Sequence, residues 1–210
     1  MNIASDVANQ LLQIKAIKLS PQNPFTWASG MQSPIYCDNR ILLSYPSQRK
    51  AIVQALAEKS KEFGSFNMVA GVATAGIAHG ALLAAELDLP FIYVRSKAKA
   101  HGRQNLIEGQ IRGNERILVV EDLISTGGSS LKAVEALEDQ GCNVAGVLAI
   151  FSYGFEKAKT AFSAANCDFK TLTNYDVLLE EAIEIGYIAE SQLDTLKMWR
   201  HEPENWAGVQ

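Results

Sequence analysis

Arg116 to Ser130 reads RILVVEDLISTGGSS. The branched apolar run Ile117-Leu118-Val119-Val120 reads as a buried strand that delivers two adjacent carboxylates, Glu121 and Asp122, to a turn of small residues. A helical pattern opens after the turn. Ser125, Thr126, Gly127, Gly128 and Ser129 therefore offer hydroxyls and backbone N–H groups, unobstructed by bulky side chains, at the positive end of the next helix dipole. That setting suits a phosphate. The two acids lie too close to such an anion to bind it themselves, so they accept hydrogen bonds from sugar hydroxyls or help hold a divalent cation. Two familiar phosphate loops are disfavoured: no lysine precedes the Ser/Thr, and Gly127-Gly128 does not supply a G-x-G-x-x-G spacing. Short strand-to-helix turns often carry Gly and Ser without any ligand; the paired acids weigh against that plainer reading.

Outward from this stretch, the chain has 210 residues, enough for one domain with a sizeable core or one domain with a small appendage. A net charge of −4 gives no electrostatic case for nucleic acid. The cysteines, Cys37, Cys142 and Cys167, are odd in number and lack metal-ligand spacing, which fits a reduced setting and structural roles. No signal-like start and no apolar run of membrane-spanning length is present, so the expectation is a soluble, cytoplasmic protein without a membrane or nucleic-acid partner.

Val7, Leu11, Ile14 and Ile17 recur at helical spacing, predicting an amphipathic helix from Asp6 to Lys18 capped by Ser5 or Asp6. PFTWASGMQSPIYCDNR then suggests a short hairpin around Ser29-Gly30. Pro46 suits a first helical turn, and a helix continues from Arg49 to Phe63, ended by Gly64. A strand from Met68 to Ala73 runs through a Gly-containing turn into a helix from Gly76 to Leu87. His79 falls inside that helix without a partner nearby in sequence and reads as a packed or surface histidine. After the strand FIYVR, the long loop SKAKAHGRQNLIEGQIRGNE begins with Arg95, Lys97, Lys99, His101 and Arg103 at every second position. In extended chain that period aims all five to one side. It is either a solvated basic loop or a mobile cationic flap that neutralises charge on a departing group. Further on come a helix ending before Gly141, the strand NVAGVLAIFSY, a helix from Phe155 to Ala165, the strand CDFKTLT, and helices from Tyr175 to Ile185 and from Glu190 to Trp199. This alternation predicts an α/β fold, a mostly parallel sheet covered on both faces, with ligands beyond the carboxyl ends of the strands.

Four of these segments resemble one family. V-V-E-D-L-I-S-T-G-G-S is similar to the phosphoribosyl diphosphate (PRPP) motif of type I phosphoribosyltransferases. F-T-x-x-S-G-x-x-S-P-x-Y-x-D-x-R resembles the amino-terminal hood, and R-S-K-x-K-x-H-G the catalytic loop, of the orotate phosphoribosyltransferases; the turn after Ala73 corresponds to one that faces diphosphate. The resemblance implies the type I fold, with an N-terminal helix and hood over residues 1–45 and a core over 46–210. It implies transfer of the 5-phosphoribosyl group from PRPP to orotate, forming orotidine 5′-monophosphate in pyrimidine biosynthesis. Magnesium, held mainly by substrate oxygens rather than by the protein, would be the cofactor. A homodimer is implied, its 95–103 loop reaching the neighbouring subunit's site.

Carried over residue by residue, the catalytic group is Lys99, His101, Arg95 and Asp122. PRPP contacts comprise Arg95, Lys99, His101, Thr74 and the whole motif from Glu121 and Asp122 through Leu123, Ile124, Ser125, Thr126, Gly127 and Gly128 to Ser129. Orotate contacts are Ser29, Gly30, Tyr36, Arg40 and Ser125. The chain departs from some members at Ala28 and Ser96, where they carry lysine, and at FSYGF, where they carry an arginine. Orotate's carboxylate is then left to Arg40 or to backbone amides of the hood. A purine or uracil salvage phosphoribosyltransferase would keep the PRPP motif without needing the hood, and a PRPP-sensing regulator of the same fold would add a basic DNA-binding segment, which this acidic chain does not show.

Overall fold

Residues 2–27, 29–97 and 106–206 are described by a computed structural model. Helix α1 (Ile3–Gln13) leads to β1 (Ile17–Leu19), the hairpin β2 (Phe25–Thr26) and β3 (Gln32–Ser33), then β4 (Ile35–Cys37), a 3-10 turn (Asn39–Ser44) and α2 (Pro46–Ser60). The main sheet is built from β5 (Met68–Val72), β6 (Phe91–Val94), β7 (Ile107–Glu108), β8 (Arg116–Ile124), β9 (Asn143–Ser152) and β10 (Phe169–Asn174). Between and after them run α3 (Ala75–Glu86), α4 (Gly128–Glu138), α5 (Glu156–Ala164), α6 (Tyr175–Glu184) and α7 (Leu193–His201). Strand order is β10-β9-β8-β5-β6-β7, parallel throughout except for β7, which pairs antiparallel with β6. The α/β class and mostly parallel sheet expected from the alternation of patterns are what the chain adopts.

Period-2 alternation in β8 builds the two sides of the core. Ile117 and Val119 join Ala133, Val134 and Leu137 of α4 and Phe162 of α5. Leu118 and Val120 face the opposite layer, with Leu56 of α2, Leu83 of α3 and Leu178 of α6. Each such buried side chain contributes about 1.5–3 kcal/mol relative to exposure, which explains why β8, apolar on both faces, sits inside the sheet rather than at an edge. The same cluster that holds Leu118 takes in Val7 and Leu11 of α1, Ile17 of β1 and Ile35 of β4, so the N-terminal segment is packed onto the core.

Two elements differ from expectation. Helix α1 starts earlier, with the Asn2 side chain accepting the Ala4 N–H at 3.1 Å, and stops at Gln13. The chain then passes through Lys15 at φ +58°, and Ile17 pairs with Cys37 in a small antiparallel sheet. Ile17 kept helical spacing but satisfies its burial as a strand residue. The second difference is β7, inside the stretch read as a single loop: Tyr93 faces Glu108 and Val94 faces Ile107. Among the described residues no helix is long and apolar enough to cross a membrane.

Candidate active site

Two strand-to-helix turns meet at the carboxyl end of the sheet because β5 and β8 are neighbours, with Gly71 opposite Val120. Their turns enclose a cavity of about 270 Å³ lined by Ala73, Thr74 and Ala75 from one side and by Glu121, Asp122, Leu123 and residues 125–129 from the other. The approach is close. A Cβ on Gly76 would stand 2.5 Å from the Val120 carbonyl oxygen, so only glycine lets the first turn of α3 lie against β8. On the other side Gly127 turns the chain at φ +81°, with Phe162 2.7 Å from where a Cβ would be. Helix α4 begins at the next residue without any side-chain cap. Its first-turn N–H groups are thus unspent, the arrangement that favours an anion.

The two acids have different surroundings. Glu121 is 5% exposed; its Oε1 accepts the Asp122 N–H at 3.0 Å and its Oε2 the Ser129 hydroxyl at 3.3 Å. Burial first, and the neighbouring Asp122 charge second, push its carboxyl far above the ordinary carboxylate range. Asp122 is only half-buried and borders the cavity. Glu121 therefore acts as a neutral buttress under the turn, and Asp122 is the acid that faces the cavity. From the 3-10 turn, the buried Asn39 donates its Nδ2 to the Asp122 carbonyl at 2.7 Å, tying the segment after the hood to the acidic turn. His79 is packed below, 1% exposed. Burial lowers its pKa, outweighing the Asp122 charge and the Asn39 carbonyl, which favour the protonated ring. Sequence reasoning missed Asn39, since nothing in its own segment signals a partner 83 residues away.

Against known proteins, the sequence profile described as "Phosphoribosyl transferase domain" matches residues 41–176, more than half of the chain. The orotate phosphoribosyltransferase of Listeria monocytogenes serotype 4b (strain F2365) is 55% identical over 207 residues, spanning 98% of this chain and 99% of that protein. The chain belongs to the orotate phosphoribosyltransferase family. Its counterpart from Bacillus caldolyticus is 54% identical over 202 residues, covering 96% and 98% of the two chains. The crystal structure of orotate phosphoribosyltransferase from Aeropyrum pernix superposes with a TM-score of 0.76 at 29% identity, covering 87% of this chain and 99% of that one.

Within this family fold, the remaining residues singled out from sequence fall in several places. Thr74 and the motif residues Glu121 to Ser129 share the cavity wall, except Ile124, whose side chain is 1% exposed in the core below. Arg95 follows β6, one strand beyond β5, with Nη1 3.5 Å from Glu108 Oε1. Lys99, His101 and Arg103 lie outside the described residues, as does Ala28. Ser29 and Gly30 form the exposed tip of the β2–β3 hairpin, where the Gly30 N–H donates to the Trp27 carbonyl at 2.8 Å. Tyr36 is exposed, its ring 5.8 Å from that of Phe25. Arg40 is held by Asp38 through two contacts, Nε to Oδ1 at 2.6 Å and Nη2 to Oδ2 at 2.9 Å; this pairing holds the Asp38 carboxyl below its ordinary value.

Proposed function

We propose that this protein transfers the 5-phosphoribosyl group from PRPP to orotate, yielding orotidine 5′-monophosphate and diphosphate in pyrimidine biosynthesis. The observation that carries this reading is the single cavity uniting the Thr74 turn with the Glu121–Ser129 turn, in a chain of this family. First-turn amides of α4 and the hydroxyls of Ser125, Thr126 and Ser129 hold the 5′-phosphate. Asp122 accepts hydrogen bonds from the ribose hydroxyls, with Glu121 neutral behind it. As the bond from C1′ to the leaving diphosphate stretches, the ring becomes oxocarbenium-like and negative charge gathers on the diphosphate. Arg95, Lys99 and His101 stabilise that charge in a closed site, where such contacts strengthen.

Among the described residues no cluster of three His, Cys, Asp or Glu gathers, and the acids at the cavity are Asp122 and the spent Glu121. That donor set fits a magnesium ion held mainly by substrate oxygens, and Asp122 is the protein group that would reach it. When bound, it supplies Lewis-acid charge to the diphosphate oxygens. Residues 1–45 act as a hood over the base, and the protein works as a homodimer in which the 95–103 loop reaches the neighbouring subunit's site.

The decisive experiment is the loss of orotate absorbance on adding PRPP and magnesium, alongside a panel of other bases. Turnover with orotate and diphosphate release are expected; activity with hypoxanthine or uracil and none with orotate would sink the assignment. Lys99→Ala should lower turnover by about 100-fold or more, as for lost transition-state charge stabilisation, while PRPP binding is largely kept.

A further inference from the structure

A second cavity, of about 310 Å³, opens beside the first and shares Ser125 and Thr126 with it. Its other walls are the hood residues Trp27 and Met31, the start of α5 at Phe155, and the end of α7 at Arg200. It therefore lies where the hood faces the phosphate turn, at the carboxyl end of β9. Orotate is a planar pyrimidine bearing a carboxylate, and a carboxylate drawn out of water needs a matching cation and hydrogen-bond donors.

Lys157, Arg200 and His201 border this cavity, together with the carboxylates of Glu156, Glu202 and Glu204. The Lys157 side chain is 71% exposed and 3.8 Å from Glu204, at the outer rim. His201 is exposed. Arg200 is different. Its side chain is 31% exposed, and Nη1 lies 3.8 Å from where a Cβ on Gly154 would stand, just past the end of β9. The preceding Trp199 is fully buried, with its ring against those of Trp27, Tyr153, Phe155 and Tyr175, which fixes the stem of α7. Asp176 takes one edge of the guanidinium through Nη1. A guanidinium carries five N–H donors in a rigid fork, so the remaining edge stays available for a second, bidentate partner. Arg40, by contrast, has a 60% exposed side chain and spends its fork on Asp38.

We propose that Arg200 is the residue that receives the acceptor's carboxylate, and so determines that the acceptor is an acidic pyrimidine. The inference rests on the orotate reading above. Asp176 orients the guanidinium, and Trp27 and Phe155 bound the slot for the planar ring. Uracil, which lacks the carboxylate, leaves the second edge of the fork without its partner and is rejected on that ground.

The test is steady-state kinetics of the full-length wild type, Arg200→Gln, Arg200→Lys and Asp176→Asn with orotate, uracil and PRPP varied separately. Arg200→Gln is expected to raise the orotate KM by about 10- to 100-fold, the range for a lost charged hydrogen bond, with the PRPP KM within about 2-fold of wild type and a narrowed preference for orotate over uracil. Arg200→Lys keeps the charge without the fork and should fall between the two; it also serves if the glutamine variant does not fold. Asp176→Asn should shift the orotate KM by less than about 3-fold, as expected for loss of a solvent-exposed ion pair. An unchanged orotate KM in Arg200→Gln overturns the proposal. So does a PRPP KM that rises in parallel, which would put Arg200 on the phosphate side, or an Asp176→Asn variant that reproduces the whole effect, which would make Arg200 a structural brace. Failure of the wild type itself to turn over orotate brings down both readings together, and so is distinct from failure of this one.

Discussion

At the scale of single residues, Glu121 and Asp122 are chemically alike and adjacent, yet their surroundings give them opposite jobs. Glu121 is buried and held protonated, and Asp122 borders the cavity. The folded-state pKa of Glu121 is raised above the unfolded value of about 4.3. Below that pH both states carry the proton and nothing is lost. As pH climbs, the unfolded chain releases a proton that the folded state retains, so stability falls with rising pH until the folded value is passed. Glu121→Gln preserves the shape and can still accept the Asp122 N–H. The variant should therefore match wild type in thermal unfolding near pH 4 and exceed it by a margin that widens by about 1.4 kcal/mol for each pH unit up to pH 8. A constant difference across that range would mean that Glu121 is ionised in the folded protein.

At the scale of elements, the site exists because α3 lies unusually close to β8. Gly76 meets the Val120 backbone, and Gly80 lies against Gly71 of β5, where a Cβ would stand 3.2 Å from the Gly71 Cα. Backbone cannot step aside as a flexible side chain can. Gly76→Ala is accordingly expected to cost about 1–3 kcal/mol by overpacking, read from denaturant unfolding, and to lower kcat/KM for PRPP, because it pushes the Thr74 turn away from Glu121. Elements were legible in sequence wherever periodicity and a breaker agreed: β8 from its apolar run, α2 from Pro46 and Gly64. They were misread where a tertiary partner overrode local pattern. Ile17 fits a helix by spacing but pairs with Cys37, and Ile107-Glu108 is too short to signal a strand until β6 offers its edge.

At the scale of the whole molecule, the two ends of the chain close on each other. Trp199 of α7 and Trp27 beside the hood hairpin have ring centroids 5.8 Å apart, and Tyr153 at the end of β9 touches both. Trp199→Ala should destabilise the fold by about 3–5 kcal/mol, as for other large-to-small changes in cores. At a temperature where the variant remains folded, its orotate KM should rise while its PRPP KM changes little, since Arg200 loses its support and the turn from Ser125 to Ser129 does not. Equal shifts in both constants would mean that the clasp serves only global stability.

The strand, turn and helix start from Arg116 to Ser130 were readable from sequence by themselves. A phosphate turn is a local object: strand, acids, small residues and helix start are contiguous from Arg116 to Ser130, and the backbone geometry they impose needs no distant partner. The cluster of Thr74 with that turn required only the expectation that ligands bind at the carboxyl ends of parallel strands. What tertiary structure alone decided are the long-range contacts. Asn39 reaches Asp122 across 83 residues, and Arg200 comes from the last helix to stand beside Gly154. Neither sits in a motif of its own, because a side chain brought to a site by packing leaves its signature in the burial of its neighbours, Trp199 above all, and not in the spacing of the residues around it.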